Sequence, residues 1–167
     1  KDFRVLKYLF KGYKKAMHYV DFAKGCKPDE LTVKEQAGYS LTAGKVKVEV
    51  KAFGVNRADS LQRQGNYPPQ PGESEILGLE VAGVVSEVAS DVSSFKEGDR
   101  VCGLVAGGGY ATEALVNPAH LMRIPQGMPF FEAAGLTEVF LTAFQCLRTI
   151  AHIKPAQRAL IHGGASG

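Results

Sequence analysis

The sequence predicts a mainly β domain that passes into the start of an α/β segment. Three observations predict it. Lys45-Val-Lys-Val-Glu-Val-Lys-Ala52 alternates charged and apolar residues with a period of two, the pattern of a half-buried strand. Further short apolar runs follow, separated by turns such as Lys96-Glu-Gly-Asp99 and Gly107-Gly-Gly109. Near residue 125 the period becomes helical. The chain then enters a short apolar run, Ala159-Leu-Ile161, and a turn of small residues, Gly163-Gly-Ala-Ser-Gly167.

Each element has its own signal. Ala16–Val20 and Leu31–Glu35 read as strands. In 45–52, Val46, Val48, Val50 and Ala52 form the apolar face, with Lys45, Lys47, Glu49 and Lys51 on a wet face. Asn56 to Gln64 suits a short helix ended by Gly65, and Tyr67-Pro-Pro-Gln-Pro-Gly72 is a stiff loop. Val81–Val88 reads as a mostly buried strand, and 100–105, 110–116 and 121–124 as three more. A helix starts within Pro129–Ala134. A longer one spans Val139–His152, where Phe140, Ala143, Phe144, Leu147, Ile150 and Ala151 make an apolar stripe before Pro155.

Composition narrows the function classes. The net charge of +3 is unevenly placed. Residues 1–15 hold six basic residues against Asp2, a net of +5, while the other 14 basic and 16 acidic residues leave −2. The basicity belongs to an N-terminal arm, so the domain has no nucleic-acid footprint. The arm lacks the pattern of a secretory signal; it suits an organelle presequence, a partner- or membrane-surface segment, or a disordered extension. Cys26, Cys102 and Cys146 are far apart and form no CxxC pair, which argues against a disulfide framework or structural zinc site. Such cysteines fit the cytoplasm, with mitochondria kept open by the arm. No apolar run reaches the ~18 residues needed for a transmembrane segment.

The run 159–161 with the turn 163–167 has the form of a parallel strand opening on a phosphate-facing loop, where backbone N–H groups approach a pyrophosphate. Alone, a glycine turn is weak evidence. It stands, however, in a series. Phe53-Gly-Val-Asn-Arg-Ala-Asp59, Gln62-Arg-Gln-Gly-Asn-Tyr-Pro68, Ile76-Leu-Gly-Leu-Glu-Val-Ala-Gly-Val-Val85, Gly98-Asp-Arg-Val101, Gly107-Gly-Gly-Tyr-Ala111, Leu141-Thr-Ala-Phe-Gln145 and Leu160–Gly167 occur in that order. Together they resemble the zinc-free quinone oxidoreductases of the medium-chain dehydrogenase/reductase superfamily, over residues 16–167.

The resemblance implies a chaperonin-10-like (GroES-like), partly open β-barrel catalytic domain at 16–125. Residues 126–167 would be connecting helices and the first strand and turn of a truncated Rossmann domain, with 1–15 as the arm. It implies NADPH in the cleft between domains, a quinone or other small electrophile as acceptor, and homo-oligomers in the whole enzyme.

Asn56 and Leu79 stand where zinc-dependent members carry a Cys and a His. Neither is a metal ligand of that kind, so no catalytic metal is expected. Glu80 then reads as a hydrogen-bonded structural acid. Tyr67 resembles the tyrosine lining the quinone slot, where its ring stacks and its hydroxyl donates to a developing oxyanion; its plainer role is packing on Pro68 and Pro69. Asn56 resembles the asparagine at the nicotinamide, and is equally suited to a helix N-cap. Asp59 either orients Arg57 or Asn56 or is a helix-surface acid. Thr142 resembles the cofactor-facing threonine, or is an ordinary mid-helix residue. Gly163, Ser166 and Gly167 match the start of the cofactor turn. His162 reads as a strand-end residue.

Two other functions fit the same residues. A shortened relative would serve as a non-catalytic accessory subunit of a larger assembly, with the 159–161 edge covered by a partner. An enoyl or alkenal reductase would deliver the same hydride to an activated C=C bond.

Overall fold

A computed structural model describes residues 16–163. The basic arm, Ser166 and Gly167 lie outside the described residues. Strands β1 (Ala16–Asp21) and β2 (Thr32–Ala37) pair antiparallel as a hairpin. Strands β3 (Val46–Phe53), β4 (Glu80–Val88), β5 (Arg100–Leu104), β6 (Glu113–Val116) and β7 (Leu121–Arg123) form a second sheet in the order β6-β3-β4-β5-β7, all antiparallel. The edge strands β6 and β7 do not pair with each other, so the sheet stays open.

Residues 110–112 join the two sheets. The Val20 N–H donates to the Tyr110 carbonyl, the Thr112 N–H to the His18 carbonyl, and the Val50 N–H to the Thr112 carbonyl. This divides the strand expected at 110–116. Its first three residues bond to β1 and β3 in turn, and only 113–116 run as a ladder strand.

The sheet buries both faces. Val46, Val48, Val81, Val85, Val101, Ala114, Val116 and Leu121 form one core. Ala82 and Cys102, one position along on β4 and β5, point the other way and meet Ile124, Ala133 and Ala134. This is why 81–88 reads as almost continuously apolar. On β3, Val46 and Val48 are fully buried as the alternation predicts. Lys47 departs from the expected wet face: its stem is buried and its Nζ reaches Glu87 Oε1 at 2.5 Å, across the strand pair. A central strand leaves little open surface, and a lysine there lays its stem along the sheet and ends on a rim acid.

Helix α1 (Arg57–Gln64) ends at Gly65, whose φ of 84° is the left-handed C-cap glycine provides without strain. Helix α2 (Phe130–Ala134) caps the second core. It is anchored by Arg100, which donates to the Met128 carbonyl at 2.5 Å and lies 4.6 Å over the Phe130 ring. Helix α3 (Thr137–Phe144) continues as a wider π-helical turn, Gln145–Ile150, within the helix expected at 139–152.

The apolar stripe of α3 is not covered by the described residues: Phe140 is 64% exposed, and Phe144 and Ile150 are similarly open. One expectation fails here. Ala159–Ile161 is no strand, and Leu160 is 83% exposed. A parallel strand takes its hydrogen bonds from neighbours, and no described strand lies beside this one.

The backbones of β4 and β3 approach closely at Gly83. A Cβ on Gly83 would stand 2.1 Å from the Glu49 carbonyl oxygen and 2.8 Å from Val48 Cγ1. Gly83→Ala is therefore expected to cost about 3 kcal/mol or more, seen as a large fall in melting temperature; an unchanged transition would contradict the β3–β4 register.

Candidate functional site

Two buried carboxylates organise the region between α1, β4 and α3. Glu80, the first residue of β4, is 2% exposed. Its Oε1 accepts from Asn56 Nδ2 at 2.9 Å. Its Oε2 accepts from Thr137 Oγ1 at 2.8 Å and from the Glu138 N–H at 2.9 Å. A buried charge is tolerated when donors of this kind surround it. The acid expected at position 80 is thus a hydrogen-bonded one.

Asp59 is 3% exposed, so it is no helix-surface acid. Its Oδ2 accepts from the Asn56 N–H at 2.7 Å and from the Tyr110 hydroxyl at 2.9 Å, and its Oδ1 from the Gly78 N–H at 3.2 Å. The bond from the Asn56 N–H to Asp59 is the returning half of a capping box at the start of α1, and the Asn56 side chain itself makes no cap bond. Asp59 therefore holds Asn56, one of the two residues the sequence offered it, and among the described residues it makes no ion pair with Arg57. Burial, followed by the Asp59 charge and hydrogen bond, pushes the Tyr110 phenol far above its usual range, so Tyr110 is a fixed donor. Its ring stacks on Phe53 with centroids 4.4 Å apart. Gly78 has a φ of 104°, and a Cβ there would stand 2.6 Å from the Tyr110 backbone nitrogen. Only glycine lets the 76–78 turn approach the 109–110 backbone so closely.

The sequence-predicted residues are distributed as follows. Asn56 is half-buried and sits at the N-cap position of α1 with extended backbone, but its side chain makes no cap hydrogen bond and binds Glu80 instead. An amide nitrogen carries two hydrogens, and one of them goes to Glu80. Tyr67, 46% exposed on the loop after α1, makes no hydrogen bond among the described residues. Thr142 is exposed on α3, and its hydroxyl donates to the Glu138 carbonyl at 2.8 Å, the usual return bond of a mid-helix threonine. Glu80 brings Asn56 to the first turn of α3, the helix that carries Thr142. Among the described residues, no hydrogen bond joins Tyr67 to either. Gly163 lies in a left-handed turn with φ 67°.

Sequence reasoning missed Thr137, Glu138, Tyr110 and Gly54 as members of this network. The available signal was an acid inside an apolar run, Leu77-Gly-Leu-Glu80-Val-Ala, which must find donors. Nothing in the sequence said that they would come from residues 56 and 137.

A cavity of ≈ 840 Å³ opens elsewhere, between the β1–β2 hairpin and the 72–76 and 106–108 turns. Its lining is of mixed charge, from Asp21 and Glu73 to Lys24 and Lys45, and includes none of Asn56, Tyr67 or Thr142. The convergence of buried polar groups, rather than this open groove, marks the candidate site. Among the described residues, no group of three His, Cys, Asp or Glu side chains is placed to hold a metal ion. No described helix is long and apolar enough to cross a membrane. The three cysteines are free thiols, and burial, then the charge of Glu80, raises the Cys102 thiol above its usual value.

Residues 42–126 match the alcohol dehydrogenase GroES-like domain. The chain belongs to this family. It is a member of the medium-chain dehydrogenase/reductase superfamily, whose quinone oxidoreductases and VAT-1 homologues share its fold. The polyketide synthase Pks15/1 of Mycobacterium marinum, a phenolphthiocerol synthesis protein, is 43% identical over 127 residues, covering 76% of this chain and 6% of the synthase. The synaptic vesicle membrane protein VAT-1 homolog of Danio rerio is 37% identical over 128 residues, covering 77% of this chain and 26% of its own. Among solved structures, Escherichia coli quinone oxidoreductase complexed with NADPH matches with a TM-score of 0.71 and 30% identity, over 84% of this chain and 43% of that one. The CurK enoyl reductase matches with a TM-score of 0.75 and 28% identity, over 83% and 44%. The chain thus spans a small part of the curated relatives it matches and less than half of these solved chains.

Glu138 supplies a test of the electrostatics. Burial, then the charges of Glu80 and Asp59, raise its carboxyl above the usual value. A carboxyl whose folded pKa lies above its unfolded one binds a proton more tightly when folded, so its ionised form opposes folding. Glu138→Gln is expected to raise the melting temperature at neutral pH. That advantage should shrink as the pH falls through the raised pKa. Equal melting temperatures at neutral pH would show that Glu138 does not feel the two buried acids.

Proposed function

We propose that this chain carries the acceptor-binding side of an NADPH-dependent oxidoreductase that reduces quinones without a metal. The observation that carries the reading is the Asn56 amide, fixed by a buried carboxylate at the head of α1 with one N–H still to give. The likeness to a quinone oxidoreductase bound to NADPH supports the choice of cofactor and acceptor. We further propose that 16–125 is the catalytic unit and that 126–167 begins a cofactor-binding unit, with homo-oligomerisation of the whole enzyme.

The donor set fits such a cofactor. Asn56 can donate its second amide hydrogen to a nicotinamide carboxamide, and Thr142 lies on the helix tied to the same carboxylate. Gly163, Ser166 and Gly167 would face the pyrophosphate. NADPH, when bound, supplies the hydride. The chain's own task is to place the acceptor and handle its charge. Tyr67 offers a ring for a planar quinone and a hydroxyl for the oxygen on which negative charge develops. A quinone takes up one hydride and one proton; the half-exposed Tyr67 hydroxyl can pass that proton and be recharged from water.

A second reading is an enoyl reductase. The likeness to the CurK enoyl reductase and to a polyketide synthase favours it. The two readings differ in the acceptor, so NADPH oxidation should be followed with a panel of quinones and a panel of enoyl thioesters. Turnover of quinones alone supports the first reading, and turnover of thioesters alone replaces it with the second. In the preferred reading Tyr67→Phe lowers kcat about a hundredfold with little change in the KM for NADPH. Unchanged kcat would remove Tyr67 from the chemistry.

A further inference from the structure

The hydrogen bonds of Glu80 fix more than a buried charge. An ionised carboxylate can only accept. The edge of the Asn56 side chain that faces Glu80 is its NH₂ edge, which donates to Oε1 at 2.9 Å. The carboxylate cannot turn away. Its other oxygen is held by Thr137 Oγ1 and by a backbone N–H, that of Glu138, on α3. Its space is also shaped for it, because a Cβ on Gly54 would stand 2.0 Å from Oε1 and 2.6 Å from Cδ. The Asn56 backbone is pinned from below by Asp59, whose Oδ2 accepts from the Asn56 N–H at 2.7 Å.

We infer that Glu80 is the positioning residue of the site: it sets which edge of the Asn56 amide donates, and it locks that edge to the first turn of α3. This rests on the reading of Asn56 as a ligand contact. Glu80 touches no substrate. It acts through Asn56 on one side and through the α3 backbone on the other, so one group fixes both the amide and the helix bearing Thr142.

The inference makes Glu80→Gln informative. A glutamine keeps the shape but offers one acceptor and one donor. The Glu138 N–H can only donate and so keeps the acceptor, and the new NH₂ falls opposite Asn56 Nδ2, donor against donor. Asn56 must flip, which turns its donor edge to the wrong side.

A double-mutant cycle with kinetics tests this. Asn56→Asp alone places a second carboxylate against Glu80 and should lower the melting temperature by about 10 °C. In the double variant, with Glu80→Gln added, the carboxylate introduced at position 56 accepts from the amide introduced at position 80, and most of that loss should return. Turnover should not return, because a carboxylate at position 56 has no donor to offer. Glu80→Gln alone should keep most of its stability while kcat/KM for NADPH falls about 10- to 100-fold. Additive melting-temperature losses in the cycle overturn the orientation. So does a Glu80→Gln protein that turns over normally. A cycle that shows the stability coupling, together with a wild-type protein that oxidises NADPH with none of the acceptors, refutes the proposed function and leaves the Glu80–Asn56 orientation supported.

Discussion

Everything around the candidate site depends on satisfying two buried carboxylates. Asp59 and Glu80 are nearly inaccessible to water, and neither sits in an ion pair among the described residues. Their charges are carried by neutral donors instead: amide, hydroxyl and backbone N–H groups from separate stretches of chain. A buried carboxylate without donors would cost several kcal/mol. The α1 cap, the 76–78 turn, Tyr110 and the start of α3 are therefore not free to settle independently. The open sheet supplies a rigid floor through its two apolar cores, and the acids tie the helices to it.

The glycines of this region follow from the same constraint. Gly54 leaves the volume that the Glu80 carboxylate fills. Gly78 bends the chain with a positive φ so that its N–H reaches Asp59 while its backbone passes close to Tyr110. They are places where a side chain and a backbone must approach more closely than a Cβ permits, and each adjoins one of the two acids in space. Apolar packing builds the sheet, whereas hydrogen-bond valence places the site.

Much of this was legible in the sequence, and the rest was illegible for physical reasons. The strands were readable because their signals are local: the period of two in 45–52 and the apolar run of 81–88 announce themselves without knowledge of their partners. The α1 boundaries were readable because Asn56 and Gly65 are capping residues by chemistry. The depth of Asp59 was not, since so short a helix gives no face until its neighbours are known. The donors to Glu80 lie 24, 57 and 58 residues away, a distance over which no pattern of spacing operates. The α3 stripe and the 159–161 run show the converse limit. Their apolarity correctly signals a demand for burial, but local pattern does not say whether the described residues meet it.

The absence of a thiolate at 56 and an imidazole at 79 changes what the neighbouring acid can do. Beside a cation, a carboxylate at 80 would chiefly neutralise charge. Beside an amide, its role is geometric, because it accepts and cannot donate. The pair Asn56–Glu80 thus converts a symmetric-looking amide into one with a defined donor edge, at the cost of burying a charge that the cores alone would reject. That cost is offset only while α3 keeps its first turn against the carboxylate. Site geometry and the docking of α3 are accordingly set by one group, because the carboxylate that faces the donor edge of Asn56 also holds the first turn of α3.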